Sequence, residues 1–90
     1  MTARYDIDWT AAALREIRKL DKRAAARVLA AISRLAAEPR PPGARHLVGH
    51  PPGIMRIRAG DYRIVYQVED DHILVTVVRV AHRRAVYRDL

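Results

Sequence analysis

The spacing of apolar residues changes in the middle of this 90-residue chain, and this change limits the possible folds more than any other feature. Before a stretch rich in proline and glycine, residues 39–53, apolar residues recur at helical intervals, as in Val28, Ile32 and Leu35. After that stretch they alternate with polar residues, which is typical of β-strands. The prolines and glycines predict a connector without regular structure. We therefore expect an α+β fold in which helices and most strands occupy separate segments.

Two helices are predicted before the connector. Residues 3–8 alternate in polarity and predict a short opening strand, and Asp8 or Thr10 can then cap a first helix. Asp21 is a second candidate N-cap, and the helix that follows it must end before Pro39. The two helices should form an antiparallel pair.

The alternating half predicts a three-stranded antiparallel meander. Residues 55–58 and 62–69 form a hairpin around a turn at Gly60-Asp61. Residues 73–81 are apolar on both faces, as expected for an interior strand. We expect one sheet with the helices on one face, in a single domain spanning residues 1–90.

The charge of the chain points toward a polyanionic partner. Lys and Arg number 17 against 10 Asp and Glu, a formal net charge of +7, and only Lys19 and Lys22 are lysines. The arginine excess suits phosphate, although GC-rich codon usage is an alternative reason for the Arg/Lys ratio. The chain has no cysteine, no signal-peptide pattern and no apolar run of the ~20 residues that cross a membrane. We expect a cytoplasmic protein without membrane association.

Two groups of residues are candidates for chemistry. Arg56 and Arg58 project from the same side of one strand, ~6.6 Å apart, which is close to the spacing of phosphates in a nucleic acid. Arg63 lies on the neighbouring strand, but the pattern leaves its face of the sheet open. The alternative is a solvated sheet edge whose arginines serve solubility.

The second group follows the interior strand and consists of His82, Arg83, Arg84 and Tyr87. A tyrosine near three cations can stack on a base, donate a hydrogen bond or accept a proton. Its alternative role is to pack the tail of the chain onto the sheet.

A metal site is not expected. His46 and His50 are four residues apart, but they flank Gly49 and precede Pro51, so a helix cannot present them together. No third ligand is nearby, and we expect neither a metal nor another cofactor.

Residues 55–68 (MRIRAGDYRIVYQV) and 80–88 (VAHRRAVYR) resemble the RelE branch of the RelE/ParE toxin superfamily. The resemblance covers almost the whole chain and implies a bacterial toxin that a cognate antitoxin holds inactive in a hetero-oligomer. When free, such a toxin enters the ribosomal A site and cleaves the mRNA there, which inhibits translation. The resemblance thus implies a metal-independent endoribonuclease, an mRNA interferase whose partners include the ribosome.

The resemblance also implies roles for individual residues. Arg63 and Arg83 match the arginines that stabilise the phosphate, and Tyr87 matches a tyrosine that stacks on a base or deprotonates the 2′-hydroxyl. Arg56 and Arg58 fall on a basic strand where family members also have lysines.

Arginine hardly exchanges a proton, so arginines in place of the family's lysines leave the identity of the general acid open. His82 is the provisional proton donor because it alone nearby titrates near neutrality. Arg84, with Arg56 and Arg58, is assigned to RNA binding.

Two other functions fit the same sequence. A ParE-like inhibitor of DNA gyrase would share the fold and act by protein binding, and a basic RNA-binding module would bind without cleavage.

Overall fold

The computed structural model describes residues 4–84 and contains a five-stranded mixed sheet with two α-helices. In chain order the elements are β1 (Asp6–Trp9), α1 (Ala11–Arg18), α2 (Lys22–Leu35), β2 (Arg45–His46), β3 (Ile54–Ala59), β4 (Tyr62–Glu69), a 3-10 turn (Asp70–His72) and β5 (Leu74–His82). The strand order in the sheet is β1-β5-β4-β3-β2. The α+β prediction and the β3–β4–β5 meander are confirmed. The strand β2 inside the connector was not predicted.

Both helices begin at predicted caps. The Thr10 hydroxyl accepts a hydrogen bond from the Ala13 amide at 3.1 Å and donates one to the Val78 carbonyl at 2.7 Å, which ties the start of α1 to β5. The Asp21 carboxylate accepts from the Ala24 amide at 2.7 Å and starts α2. Between residues 4 and 84, no helix has the length and apolar character needed to cross a membrane.

The helices cover one face of the sheet. Val28, Ile32 and Leu35 of α2 are buried in a single cluster with the apolar residues of β3, β4 and β5. The buried sheet residues of this cluster are Met55, Ile57, Ala59, Ile64, Tyr66, Val68, Val75, Val77 and Val80. They alternate along β3 and β4, and along β5 on either side of a β-bulge at Val78, so the remaining paired side chains project from the opposite face, which we call the outer face.

The interior position of β5 depends on a parallel pairing that the sequence did not predict. β1 runs parallel to β5, with Asp6 opposite Leu74 and Trp9 opposite Val77. β1 begins later than predicted, at Asp6. It pairs with β5 only as far as Val77, so the rest of β5 extends beyond the end of β1.

Beyond the end of β1, a side chain from α1 closes the edge of β5. The Glu16 carboxylate accepts a hydrogen bond from the Val80 amide at 2.8 Å. The same carboxylate binds the Arg79 guanidinium, with Nε 3.1 Å from Oε1 and Nη2 2.9 Å from Oε2. This contact fixes the part of β5 that leads to His82 and Arg83.

A buried phenol holds the connector against the core. The Tyr66 side chain is fully buried and its hydroxyl donates a hydrogen bond to the Pro39 carbonyl at 2.8 Å. Burial raises the pKa of Tyr66 to about 12. The proline-rich stretch is therefore anchored where it leaves α2.

We expect Glu16→Ala to destabilise the fold by about 2 kcal/mol, because it removes a charge-assisted acceptor from the Val80 amide and from Arg79. Urea unfolding measures the loss, and amide exchange at Val80 should accelerate. Glu38→Ala is the matched control, since this exposed carboxylate has no ion pair within the described residues. Equal effects of the two substitutions would contradict the assignment.

Tyr66→Phe should lower the free energy of unfolding by about 1 kcal/mol at neutral pH, because the Pro39 carbonyl loses its donor. In the wild type, stability should also fall between about pH 10 and 12, since the unfolded phenol ionises first while the folded one keeps its proton. Tyr66→Phe should lack this part of the alkaline loss, and Tyr62→Phe controls for removing a phenol from the same strand. The same alkaline loss in wild type and Tyr66→Phe would refute the account.

Candidate functional site

The register of the β3–β4 hairpin gathers arginines on the outer face of the sheet. Arg58 lies directly opposite Arg63, and Arg56 lies opposite Arg45 of β2. Directly opposed residues of antiparallel strands project to the same side, with Cβ atoms ~5 Å apart. We call Arg45, Arg56, Arg58 and Arg63 the arginine cluster. The structure thus places Arg63 on the same face as Arg56 and Arg58.

The arginine cluster lacks compensating charge. Burial lowers the pKa of Arg56, and the neighbouring guanidinium groups of Arg63, Arg58 and Arg45 lower it further. Within residues 4–84 no member of the cluster forms an ion pair with a carboxylate. In contrast, Arg40 binds both carboxylate oxygens of Asp70 at 3.0 and 3.1 Å.

One donor of the cluster is buried without a partner. The Nε atom of Arg63 is inaccessible to solvent and has no hydrogen-bond acceptor among the described residues. A buried unpaired donor costs about 1–3 kcal/mol, more for a charged group, so a movement of the Arg63 side chain that brings Nε to an anionic ligand removes that cost. The cluster is therefore suited to bind a phosphate group.

The end of β5 brings the second predicted group beside the hairpin turn. The Arg83 amide donates a hydrogen bond to the Asp61 carbonyl at 2.7 Å. The Nε atom of the Arg83 side chain lies 3.8 Å from a carboxylate oxygen of Asp61. Both side chains of this pair are more than half exposed, so a ligand phosphate can compete for Arg83. Arg84 is also exposed, whereas Tyr87 lies outside the described residues.

His82 takes a different face from the arginine cluster. His82 pairs with Tyr62, and the neighbouring pair is Ala81 with Arg63. Because successive residues of a strand point to opposite faces, His82 projects toward the helix side when Arg63 projects from the outer face. The two rings meet edge to face with centroids 5.6 Å apart. The Arg84 amide donates to His82 Nδ1 at 3.2 Å, which leaves the proton of the neutral imidazole on Nε2.

Two arginines were not predicted from the sequence: Arg45, which belongs to the arginine cluster, and Arg34, which lies beside it. Arg45 was hidden because β2 is only two residues long and shows no alternating pattern. Arg34, in the last turn of α2, lines a cleft of about 470 Å³ together with Arg45, Arg56 and Arg58. No local signal links Arg34 to these strands, because only the packing of α2 on the sheet brings them together.

The described residues supply no evident metal ligands. Within residues 4–84, no three His, Asp or Glu side chains lie close enough together to hold a metal ion. What the site offers chemically is a set of closely spaced guanidinium groups, which can bind a phosphodiester and stabilise the charge that it gains during displacement.

Comparison with protein families and curated proteins identifies relatives over most of the chain. The family model described as the ParE toxin of the type II toxin-antitoxin system, parDE, matches residues 7–87. The chain is 35% identical over 85 residues to toxin RelG of Mycobacterium tuberculosis, covering 93% of this chain and 97% of that protein. It is 36% identical over 90 residues to toxin RelE of the same organism, covering 93% of this chain and 87% of that protein.

Solved structures agree with the sequence relatives. The toxin in the RelBE2 toxin–antitoxin complex of Mycobacterium tuberculosis superposes with a TM-score of 0.79 at 31% identity, covering 94% of this chain and 98% of that one. In the intact E. coli RelBE complex the matching chain gives a TM-score of 0.77 at 30% identity, covering 92% and 99%. With the family model and the curated toxins, these matches show that the chain belongs to the RelE/ParE family of toxins of type II toxin–antitoxin systems.

Proposed function

We propose that this toxin is a ribosome-dependent endoribonuclease that cleaves mRNA in the A site without a metal. The observation that carries the proposal is the arginine cluster, whose members lack carboxylate partners in the described chain and include the buried unpaired Nε of Arg63. Four such cations on one face favour a polyanion over a neutral ligand. The sequence relatives named RelE and RelG support the toxin class.

The proposed reaction is an attack by the RNA on its own backbone. The 2′-oxygen forms a bond to phosphorus while the bond from phosphorus to the 5′-oxygen breaks, which yields a 2′,3′-cyclic phosphate and a 5′-hydroxyl. Phosphorus gains negative charge on its oxygens in the transition state, and fixed cations stabilise that charge. We assign this stabilisation to Arg63 and Arg83.

The other residues position the RNA and move protons. Arg56, Arg58 and Arg84 are proposed to hold neighbouring phosphates. Tyr87 is proposed to stack on a base or to take the proton of the 2′-hydroxyl. Arginine cannot serve as the general acid at neutral pH, because its pKa is above 12.

His82 remains the proposed donor to the leaving 5′-oxygen. To act as an acid the ring must first take up a proton on Nδ1, which breaks the hydrogen bond from the Arg84 amide, and the imidazolium then donates from Nε2. The ring projects from the helix side, so it must reach the phosphate around the end of β5. This requirement makes the His82 assignment separately testable.

We also propose that a cognate antitoxin neutralises the toxin in a hetero-oligomer in the cytoplasm. The similar structures include toxin–antitoxin complexes of the RelBE type. An antitoxin segment that brings acidic side chains to the arginine cluster would compensate its charge and exclude RNA.

The first test is toeprinting of mRNA on translating ribosomes. Wild-type toxin should produce cuts in the A site, and Arg63→Ala, Arg83→Ala or Tyr87→Ala should each reduce the cutting rate by roughly 10²-fold or more, because each removes a stabilising or positioning group. Arg15→Ala, on the exposed surface of α1, is the control for lost charge. Unchanged cutting in all three variants would remove the proposed site.

A second candidate function follows from the ParE family model that matches residues 7–87. A ParE-like toxin would inhibit DNA gyrase through protein binding, without RNA chemistry. Supercoiling assays with the same purified toxin separate the two functions. Inhibited supercoiling with intact mRNA would replace the endoribonuclease proposal.

The donor role of His82 predicts a distinct signature. His82→Gln should slow cleavage by roughly 10²-fold and change its pH dependence, because the group that protonates the leaving oxygen is lost. His72→Gln is the matched control, since His72 is exposed in the turn before β5. A His82→Gln toxin with the rate and pH profile of the wild type would eliminate His82 as the donor.

A further inference from the structure

We propose that the arginine-lined cleft is a second phosphodiester-binding subsite, which holds the cleaved RNA strand roughly two to three nucleotides from the scissile bond. The cleft has a volume of about 470 Å³ and lies between α2, the loop at residues 41–43 and the strands β2 and β3. This inference rests on the proposed endoribonuclease function and extends it to residues that the cleavage chemistry does not use, Arg34 and Arg45.

The charge of the cleft favours an anion. Four arginines line it, Arg34, Arg45, Arg56 and Arg58, and no carboxylate does so among the described residues. Arg34 and Arg45 form no ion pair within residues 4–84, unlike Arg40 and Arg79, which bind Asp70 and Glu16. A bound phosphate would supply the missing counter-charge.

The cleft continues the arginine cluster. Arg63 on β4 lies opposite Arg58 on β3, and two residues along β3 Arg56 lies opposite Arg45 on β2. The four arginines therefore form a continuous path across the three strands. The steps are ~5 Å across and ~6.6 Å along the strand, so the path is about 17 Å long. An extended RNA strand covers that path with roughly two to three nucleotides, since successive phosphates lie about one along-strand step apart.

The composition of the cleft favours RNA over a protein segment. A docked helix or strand draws most of its affinity from large apolar anchors at the centre of the contact. The exposed large apolar side chains of the described chain are Leu29, Val48 and Ile73, and none of them lines the cleft. Planar guanidinium groups instead match phosphate oxygens with paired donors.

The test measures the salt dependence of RNA binding. Anisotropy of a short fluorescein-labelled single-stranded RNA is titrated with purified toxin over a series of KCl concentrations. Arg34→Gln/Arg45→Gln should reduce the slope of log K against log[salt] by about 1.4, because each lost phosphate contact contributes ~0.7. Arg15→Gln/Arg18→Gln removes the same charge from exposed positions of α1 and should leave the slope near that of the wild type.

An uncharged methylphosphonate in place of one phosphate shows which phosphate of the RNA contacts the cleft. On translating ribosomes, where the scissile bond is defined, wild-type toxin should cut mRNA more slowly when one methylphosphonate lies two or three nucleotides from that bond, and the Arg34→Gln/Arg45→Gln toxin should not respond to it. A slope equal to that of the wild type, or an equal loss in the α1 variant, would overturn the subsite. So would weaker antitoxin binding with RNA binding unchanged.

These outcomes are distinguishable from failure of the proposed function. A wild-type toxin that cuts ribosome-bound mRNA while the cleft variant keeps the full slope refutes the subsite alone. A wild-type toxin that never cuts mRNA, with the predicted slope change, refutes the nuclease and supports the phosphate-binding cleft. Circular dichroism of each variant confirms that the comparison is made between folded proteins.

Discussion

The two-residue turn at Gly60-Asp61 sets the register on which both faces of the sheet depend. Gly60 adopts φ +61°, a left-handed conformation that suits a tight hairpin. The resulting register pairs Ile57 with Ile64 in the core and Arg58 with Arg63 on the outer face. A slip by one residue would exchange the two faces and bury the guanidinium groups. Core packing and the gathering of cations are therefore consequences of one alignment.

The fold tolerates these closely spaced cations because burial of the apolar face contributes more free energy than repulsion between the arginines costs. Burying an isoleucine side chain contributes about 1.5–3 kcal/mol, whereas two like charges in a largely solvated setting repel by less than about 1 kcal/mol. The apolar face decides the register, and the arginines follow it. Within residues 4–84 the cluster is left without carboxylate partners, so a polyanion stabilises it, and RNA or an acidic antitoxin segment would compete for it. Salt should weaken both interactions.

Local patterns were sufficient to predict much of the fold. The helical spacing and the caps at Thr10 and Asp21 predicted where α1 and α2 begin, and the alternation after residue 53 predicted the hairpin. The parallel pairing of β1 with β5 was not predictable in this way, because it joins segments more than 60 residues apart. β2 was not predicted because a strand of two residues is too short to show an alternation of polar and apolar residues.

The site shows the same division between local and distant information. Arg56 and Arg58 were predicted as a pair from strand parity, but the face of Arg63 depended on the turn between the strands. Arg45 reached the cluster through the unpredicted β2, and the contact of Glu16 with Arg79 joins elements 63 residues apart. The role of Tyr87 stays a prediction, since that residue lies outside the described part of the chain.

The most direct measurement of the central claim is proton–nitrogen NMR of the arginine Nε–H groups during titration with an uncleavable RNA whose attacking 2′-hydroxyl is replaced by hydrogen. The account predicts that the Arg63, Arg58 and Arg56 signals shift together and return as salt is added. The Arg63 signal should change most, because its Nε gains an acceptor that residues 4–84 do not provide. Signals that stay in place for these three arginines while RNA binds elsewhere would contradict the account.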